Sequence, residues 1–130
     1  MFRCHMIASA AALACFAGLA QAEDYSSRYS QCMDTAASTA AMTGCIQAET
    51  ALQDQRLNRV YKQLMAKLDA EPKKSLRDVQ RKWIAYRDGN GAFQAQASGG
   101  TLRQIEGGMC VMGMTRDRAA ELERVLSPGQ

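Results

Sequence analysis

The chain has 130 residues, of which 47% are hydrophobic and 22% charged, with a formal net charge of +3 at pH 7. That length accommodates one domain with one modest core. The single histidine, His5, falls in an N-terminal leader, so the remaining chain lacks the commonest general base and the commonest metal ligand.

The leader reads clearly. Arg3 supplies a positive start, residues 6–20 are almost wholly apolar, and Ala20-Gln21-Ala22 has the small-x-small form that signal peptidase requires. The apolar run is shorter than the roughly 20 residues a bilayer span needs, and Glu23 and Asp24 follow it directly. Residues 1–22 are therefore predicted to be a cleaved signal peptide, and residues 23–130 a single domain. Cleavage after Ala22 removes Arg3 and lowers the net charge from +3 to +2. Cys15, preceded by Leu13 and Ala14, raises the question of lipidation. Ala12 stands where a bulky aliphatic is usual, however, and cutting there leaves a short apolar region. No second long apolar run exists, so the mature chain is expected to lack a transmembrane helix and to be soluble, in the periplasm or secreted.

A first short helix is predicted over residues 29–41, rich in alanine, serine and threonine. Thr43-Gly44 breaks the pattern, with Thr43 as N-cap of a second helix over 45–69 that contains neither glycine nor proline. Leu57, Val60, Tyr61, Leu64, Met65 and Leu68 recur at three- and four-residue steps and share a face, opposite Arg56, Arg59, Lys62 and Lys67. Pro72 ends this run and suits the first turn of a third helix over 72–94. Leu76, Val79, Trp83 and Tyr86 form its expected buried stripe, with Phe93 beyond. Gly89 and Gly91 weaken its last turns by about 1 kcal/mol each relative to alanine.

Ala97-Ser98-Gly99-Gly100 is the clear loop. Thr101 is predicted to cap a fourth helix to about residue 112, with Leu102, Ile105 and Met109 inward. Thr115 caps a short fifth helix, with Asp117 in its first turn and Ala119, Leu122, Val125 and Leu126 inward. No strand alternation and no internal repeat appear. The predicted fold is all-α: a small helical bundle built on a long antiparallel helix hairpin, turned at residues 69–72, with shorter flanking helices covering its apolar stripe.

A set of residues in the second half carries a family resemblance. Gln80, Trp83, Ile84, Tyr86, Arg87 and Asp88 are followed by Gly99-Gly100-Thr101, by Cys110, and by Thr115-Arg116-Asp117-Arg118-Ala119 with Leu122. This order and spacing resemble the LprI-type lysozyme-inhibitor domain, an exported bacterial family. In that family W-x-x-Y-R-D on a glutamine-rich helix precedes a glycine-rich stretch, a cysteine and T-x-x-R-A-x-x-L. The likeness continues upstream to Cys32, Cys45 and Leu57-Asn58-Arg59-Val60-Tyr61. It implies an exported, all-helical binding module that protects the cell wall by blocking a lysozyme cleft, and that needs no cofactor. A periplasmic structural or adaptor domain binding an endogenous envelope protein is the alternative, and a hydrolase using carboxylates alone is a weaker third.

The family pattern also bears on the cysteines. Its members typically carry a fourth cysteine shortly after W-x-x-Y-R-D, at a position held here by Gly91. That departure deprives Cys110 of its usual partner. The implied bridge is then Cys32–Cys45, worth about 3 kcal/mol in the chain-entropy account, while Cys45–Cys110 stays open. An unpaired Cys110 is read as a buried small hydrophobe, or as a thiol linking two chains in a disulfide-bonded dimer. No C-x-x-C occurs, which argues against a thioredoxin-like site.

The remaining constellations favour structure over chemistry. Trp83 and Tyr86 read as core. Arg87 and Asp88 read as structural, with Arg87 paired to an acid such as Glu49 or Asp54. The basic run Lys73, Lys74, Arg77, Arg81 and Lys82 is interleaved with Asp69, Glu71 and Asp78, so it reads as a solvated helix face, and no nucleic-acid partner is expected. Glu121 and Glu123 read as neighbours on a short surface helix. No nucleophile is paired with a base and no phosphate-binding loop is present, so catalytic, cofactor and metal residues are none and the chain is not expected to be an enzyme.

The candidate partner-binding element is the loop Ser98, Gly99, Gly100, Thr101 and Arg103. Glycines let backbone approach a partner surface closely, and a polar, cationic tip suits a cleft lined by carboxylates. The bland alternative is a plain helix–helix connection. Animal lysozymes are strongly basic and this domain is mildly basic, so recognition would rest on local complementarity rather than long-range steering.

Overall fold

The computed structural model describes residues 25–129. The predicted leader, with His5 and Cys15, lies outside the described residues. Four α-helices account for nearly all of the rest: α1 Ser27–Thr35, α2 Thr39–Lys67, α3 Ala70–Ser98 and α4 Arg103–Leu126, with a single 3₁₀ turn at Gly100–Leu102. No strand occurs among the described residues. The protein is all-α, as its periodicity predicts, and none of these helices is long and apolar enough to cross a membrane.

Local chemistry sets the helix starts. The Ser26 hydroxyl accepts from the Tyr29 amide at 3.1 Å and caps α1. The Ser38 hydroxyl accepts from the Ala41 amide at 3.1 Å and caps α2. The second helix therefore begins well before Thr43, which was expected to cap it. Thr43 lies inside α2, and its hydroxyl donates back to the Thr39 carbonyl at 2.8 Å. One isolated glycine, Gly44, is tolerated within the helix once Ser38 supplies the cap. A disulfide joins Cys32 of α1 to Cys45 of α2, with Cα atoms 5.7 Å apart. Pro72 falls in the first turn of α3, where its missing N–H costs nothing.

The largest departure from the sequence expectation is α4. One 24-residue helix replaces the predicted fourth and fifth helices. It passes through Gly107 and Gly108 without a break, and Thr115 is no cap: it is fully buried, and its hydroxyl donates to the Val111 carbonyl at 2.7 Å. The glycines are there for packing. A Cβ on Gly107 would lie 2.9 Å from both the Ala95 Cβ and the Gly91 carbonyl oxygen, and one on Gly91 would lie 2.6 Å from Val111 Cγ2. Gly91, Ala95 and Gly107 thus allow α3 and α4 to approach almost backbone to backbone. The helix-propensity cost of glycine, about 1 kcal/mol per residue, is offset by that contact.

Helix α4 packs against both α2 and α3, so it is central rather than flanking. Its Ala119 and Leu122 meet Leu57, Val60 and Leu64 of α2 in the main core, with Tyr61, Leu68, Leu76, Trp83 and Leu126 packed around them. Because α3 buries mainly a narrow line against α4, Val79, Tyr86 and Phe93, expected inward, are exposed, and so are Leu102 in the 3₁₀ turn and Met109 and Val125 on α4. Tyr86, at 64% exposure, is not core.

Candidate functional site

The W-x-x-Y-R-D and T-x-x-R-A-x-x-L residues meet along the α3–α4 seam. Arg118 of α4 is 6% exposed. Its Nε donates to Gln80 Oε1 of α3 at 3.1 Å, and its Nη1 pairs with Glu121 Oε2 at 2.7 Å. Arg87 of α3 donates from Nη1 to Thr115 Oγ1 at 3.4 Å, pairs with Asp88 at 2.9 Å and reaches Asp54 of α2 at 3.6 Å. Both guanidinium groups lie over the Trp83 ring, Arg87 at 5.1 Å and Arg118 at 5.9 Å from its centre. Trp83 is partly buried against the core, as a structural aromatic should be. These side chains clasp α2, α3 and α4 together, and the buried ones satisfy each other.

Of the two acids named as partners for Arg87, Asp54 is the one in reach. Glu49, 1% exposed, is engaged elsewhere. It accepts from the Ser26 hydroxyl, from the Ser26 amide at 3.1 Å and from Gln53 Nε2 at 2.7 Å. Burial pushes the Glu49 carboxyl up, but those hydrogen bonds outweigh it and hold the carboxyl below its ordinary range. Glu49 thereby ties the segment before α1 to α2. Glu123 is not a bystander on a surface helix either: Arg56 of α2 grips both of its carboxylate oxygens.

Between Trp83 of α3 and one face of α4 runs an open groove of about 300 Å³, lined also by Met114, Asp117, Arg118, Glu121 and Arg124. Its two carboxylates are already paired, Asp117 with Arg116 at 2.7 Å and Glu121 with Arg118. No nucleophile meets a base there. Among the described residues no three His, Cys, Asp or Glu side chains converge to hold a metal.

The predicted partner-binding loop forms the α3–α4 corner. Gly99 (φ 65°) and Gly100 (φ 54°) adopt left-handed backbone that other residues rarely enter, and this turns the chain between two long helices. Ser98, Thr101 and Arg103 are exposed. The Ser98 hydroxyl donates to the Gln94 carbonyl at 2.9 Å, so it finishes α3. Leu102, expected inward, is 55% exposed and adds an apolar element to the tip. The corner lies at the opposite end of α3 from the α2–α3 turn, about 43 Å away at 1.5 Å per residue.

One expected buried stripe is reversed, and one cluster has no counterpart in the sequence pattern. Val79, Tyr86 and Phe93 recur every seven residues and form an exposed aromatic-rich line on α3. The seven-residue spacing was visible, but it reads equally as a buried seam. Asn90 of α3 meets Cys110 and Met114 of α4, and the run Met109-Cys110-Val111-Met112-Gly113-Met114 was its only signal.

The family described as Lysozyme inhibitor LprI matches residues 32–122, from the α1 cysteine to the last core leucine of α4. An uncharacterized protein of Rhizobium meliloti (strain 1021) is 27% identical over 100 residues, covering 66% of this chain and 72% of the relative. No solved structure matches the chain.

Proposed function

The chain belongs to the LprI lysozyme-inhibitor family, and from that premise we propose that it is an exported binding protein that shields the bacterial cell wall by occupying a lysozyme cleft. Residues 1–22 serve as the cleaved leader and residues 23–130 as the single binding domain. The observation that carries this reading is the family match across all four helices. The protein works as a plug and needs no cofactor and no reaction of its own.

The element proposed to enter the cleft is the α3–α4 corner. Arg103 meets the cleft carboxylates, Thr101 offers a hydroxyl to the sugar-binding groove, and Gly99 and Gly100 keep the backbone free of side chains at the closest approach. Two features support this choice. The corner is held by helices that cross tightly at Gly91 and Gly107, so little freedom is lost on docking. Its exposed Leu102 supplies apolar area beside the charge. Association proceeds without electrostatic steering, because both partners are basic.

The test is a lysis assay with the purified protein, lysozyme and a cell-wall substrate. Inhibition is expected at modest molar excess, weakened at least tenfold by Arg103→Glu. Undiminished lysis at large excess rejects the inhibitor reading, and in that case an envelope protein recovered by crosslinking supports the adaptor alternative. Inhibition that survives Arg103→Glu moves the contact away from the corner.

A further inference from the structure

We propose that the end of the bundle around the α2–α3 turn binds the surface of a bilayer that carries anionic lipid headgroups. Residues 59–82 make the last turns of α2, the turn itself and the first half of α3. They hold eight lysine or arginine residues against three acids, a net charge of +5, and include all five lysines of the chain. The other described residues, 25–58 and 83–129, hold seven arginines against eight acids, a net charge of −1. The excess positive charge therefore sits wholly in one segment.

The two sets of cations are also used differently. Outside the segment, Arg56, Arg87, Arg116 and Arg118 are each held by a carboxylate. Within it, none of the eight cations forms an ion pair among the described residues. Lys73 is half-buried and the other seven are exposed. Lys62 and Lys67 on α2, with Lys73, Lys74 and Arg77 on α3, lie within about 10 Å of the turn along their helix axes, at 1.5 Å per residue. Anionic headgroups attract basic residues over about one Debye length, roughly 8 Å at physiological salt. An approach of the turn to the surface brings these five cations into that range together.

Apolar surface beside the charge favours a bilayer over a polyanion in water. Val125, in the last turn of α4, is 59% exposed. Leu68 and Leu126, where α2 and α4 end, are only half-buried. Lysine stems lie along such surface while their ammonium groups reach phosphate, and a hydrophilic polymer offers nothing to Val125. No described helix is long and apolar enough to cross a membrane, and the attachment proposed is peripheral. The α3–α4 corner stands at the other end of α3, so attachment here leaves it pointing away from the bilayer. That consequence alone bears on the lysozyme reading, and lipid binding does not rest on it.

The test is flotation of the purified protein with vesicles of phosphatidylcholine, alone or mixed with phosphatidylglycerol. The protein is expected to float with the mixed vesicles, to ignore pure phosphatidylcholine, and to be released at about 1 M salt, where the Debye length falls to about 3 Å. Lys73→Glu/Lys74→Glu should weaken binding at least tenfold with an unchanged circular-dichroism spectrum. Lys74→Glu alone should weaken it at least threefold. Arg28→Glu, with the same change in net charge but on α1, should alter it less than twofold. Val125→Ser should weaken vesicle binding at least twofold. The assignment is overturned if the native protein does not float with mixed vesicles, if Arg28→Glu loses as much as Lys74→Glu, if Val125→Ser binds as native, or if soluble polyphosphate binds the protein as tightly as the vesicles at equal phosphate concentration.

Discussion

Helix α4 is held in two different ways on its two sides. Toward α2 the seam is aliphatic: Leu57, Val60 and Leu64 face Ala119 and Leu122, all nearly inaccessible to solvent. Toward α3 the seam is small and polar: Gly91 and Ala95 against Gly107, then Gln80 and Arg87 against Arg118 and Thr115. The first seam draws its strength from apolar area removed from water, which is large and non-directional. The second depends on a short distance between helix axes and on hydrogen bonds that form in one register only. The α2 side therefore supplies most of the stability, and the α3 side specifies where α3, with its corner loop and exposed aromatic line, stands.

The largest test of that contrast is Leu122→Ala, which empties a fully packed position in the aliphatic seam. It should cost about 2–5 kcal/mol, measured as a fall in the denaturation midpoint without a change in slope. A loss below 1 kcal/mol would show that this seam is not the main source of stability. Next in size is Gly107→Ala in the tight seam. The new methyl meets the Gly91 carbonyl oxygen, which is backbone and cannot swing aside, so about 1–3 kcal/mol should be lost even though alanine is the better helix former. A neutral or stabilising result would mean that α3 and α4 are not in close contact at this level.

The smallest quantity to be read is a coupling, and a double-mutant cycle isolates it. Arg118→Met leaves the buried Gln80 side chain without its partner and should cost about 1–3 kcal/mol. Adding Gln80→Leu removes the orphan, so the double variant should be less destabilised than the two single losses combined. Strict additivity would indicate that the two side chains do not interact.

Helical class and the face of α2 were legible because an apolar residue every three or four positions has few other uses. The corner was legible from Gly99-Gly100, whose left-handed backbone is a local requirement. The family motif pointed to the right residues in α3 and α4, yet their partners were only half visible. The sequence offers Asp54 and Glu49 alike to Arg87, and nothing in the spacing shows that Ser26 and Gln53 already occupy Glu49. The Cys110–Met114–Asn90 cluster likewise needs two helices to be brought side by side.

By itself the amino-acid order determined that this protein is helical, where its longest amphipathic face lies, where the chain turns at Gly99 and Gly100, and which family it resembles. Periodicity and backbone preference act over one or two turns, so they can be read along a single strand of text. Only the tertiary structure decided that Gly107 and Thr115 sit inside one continuous helix, that this helix lies between α2 and α3, and that Tyr86 and Phe93 face water. A glycine that weakens an isolated helix is favoured where a second backbone comes within contact distance. That distance is a property of two helices together, and neither segment encodes it alone.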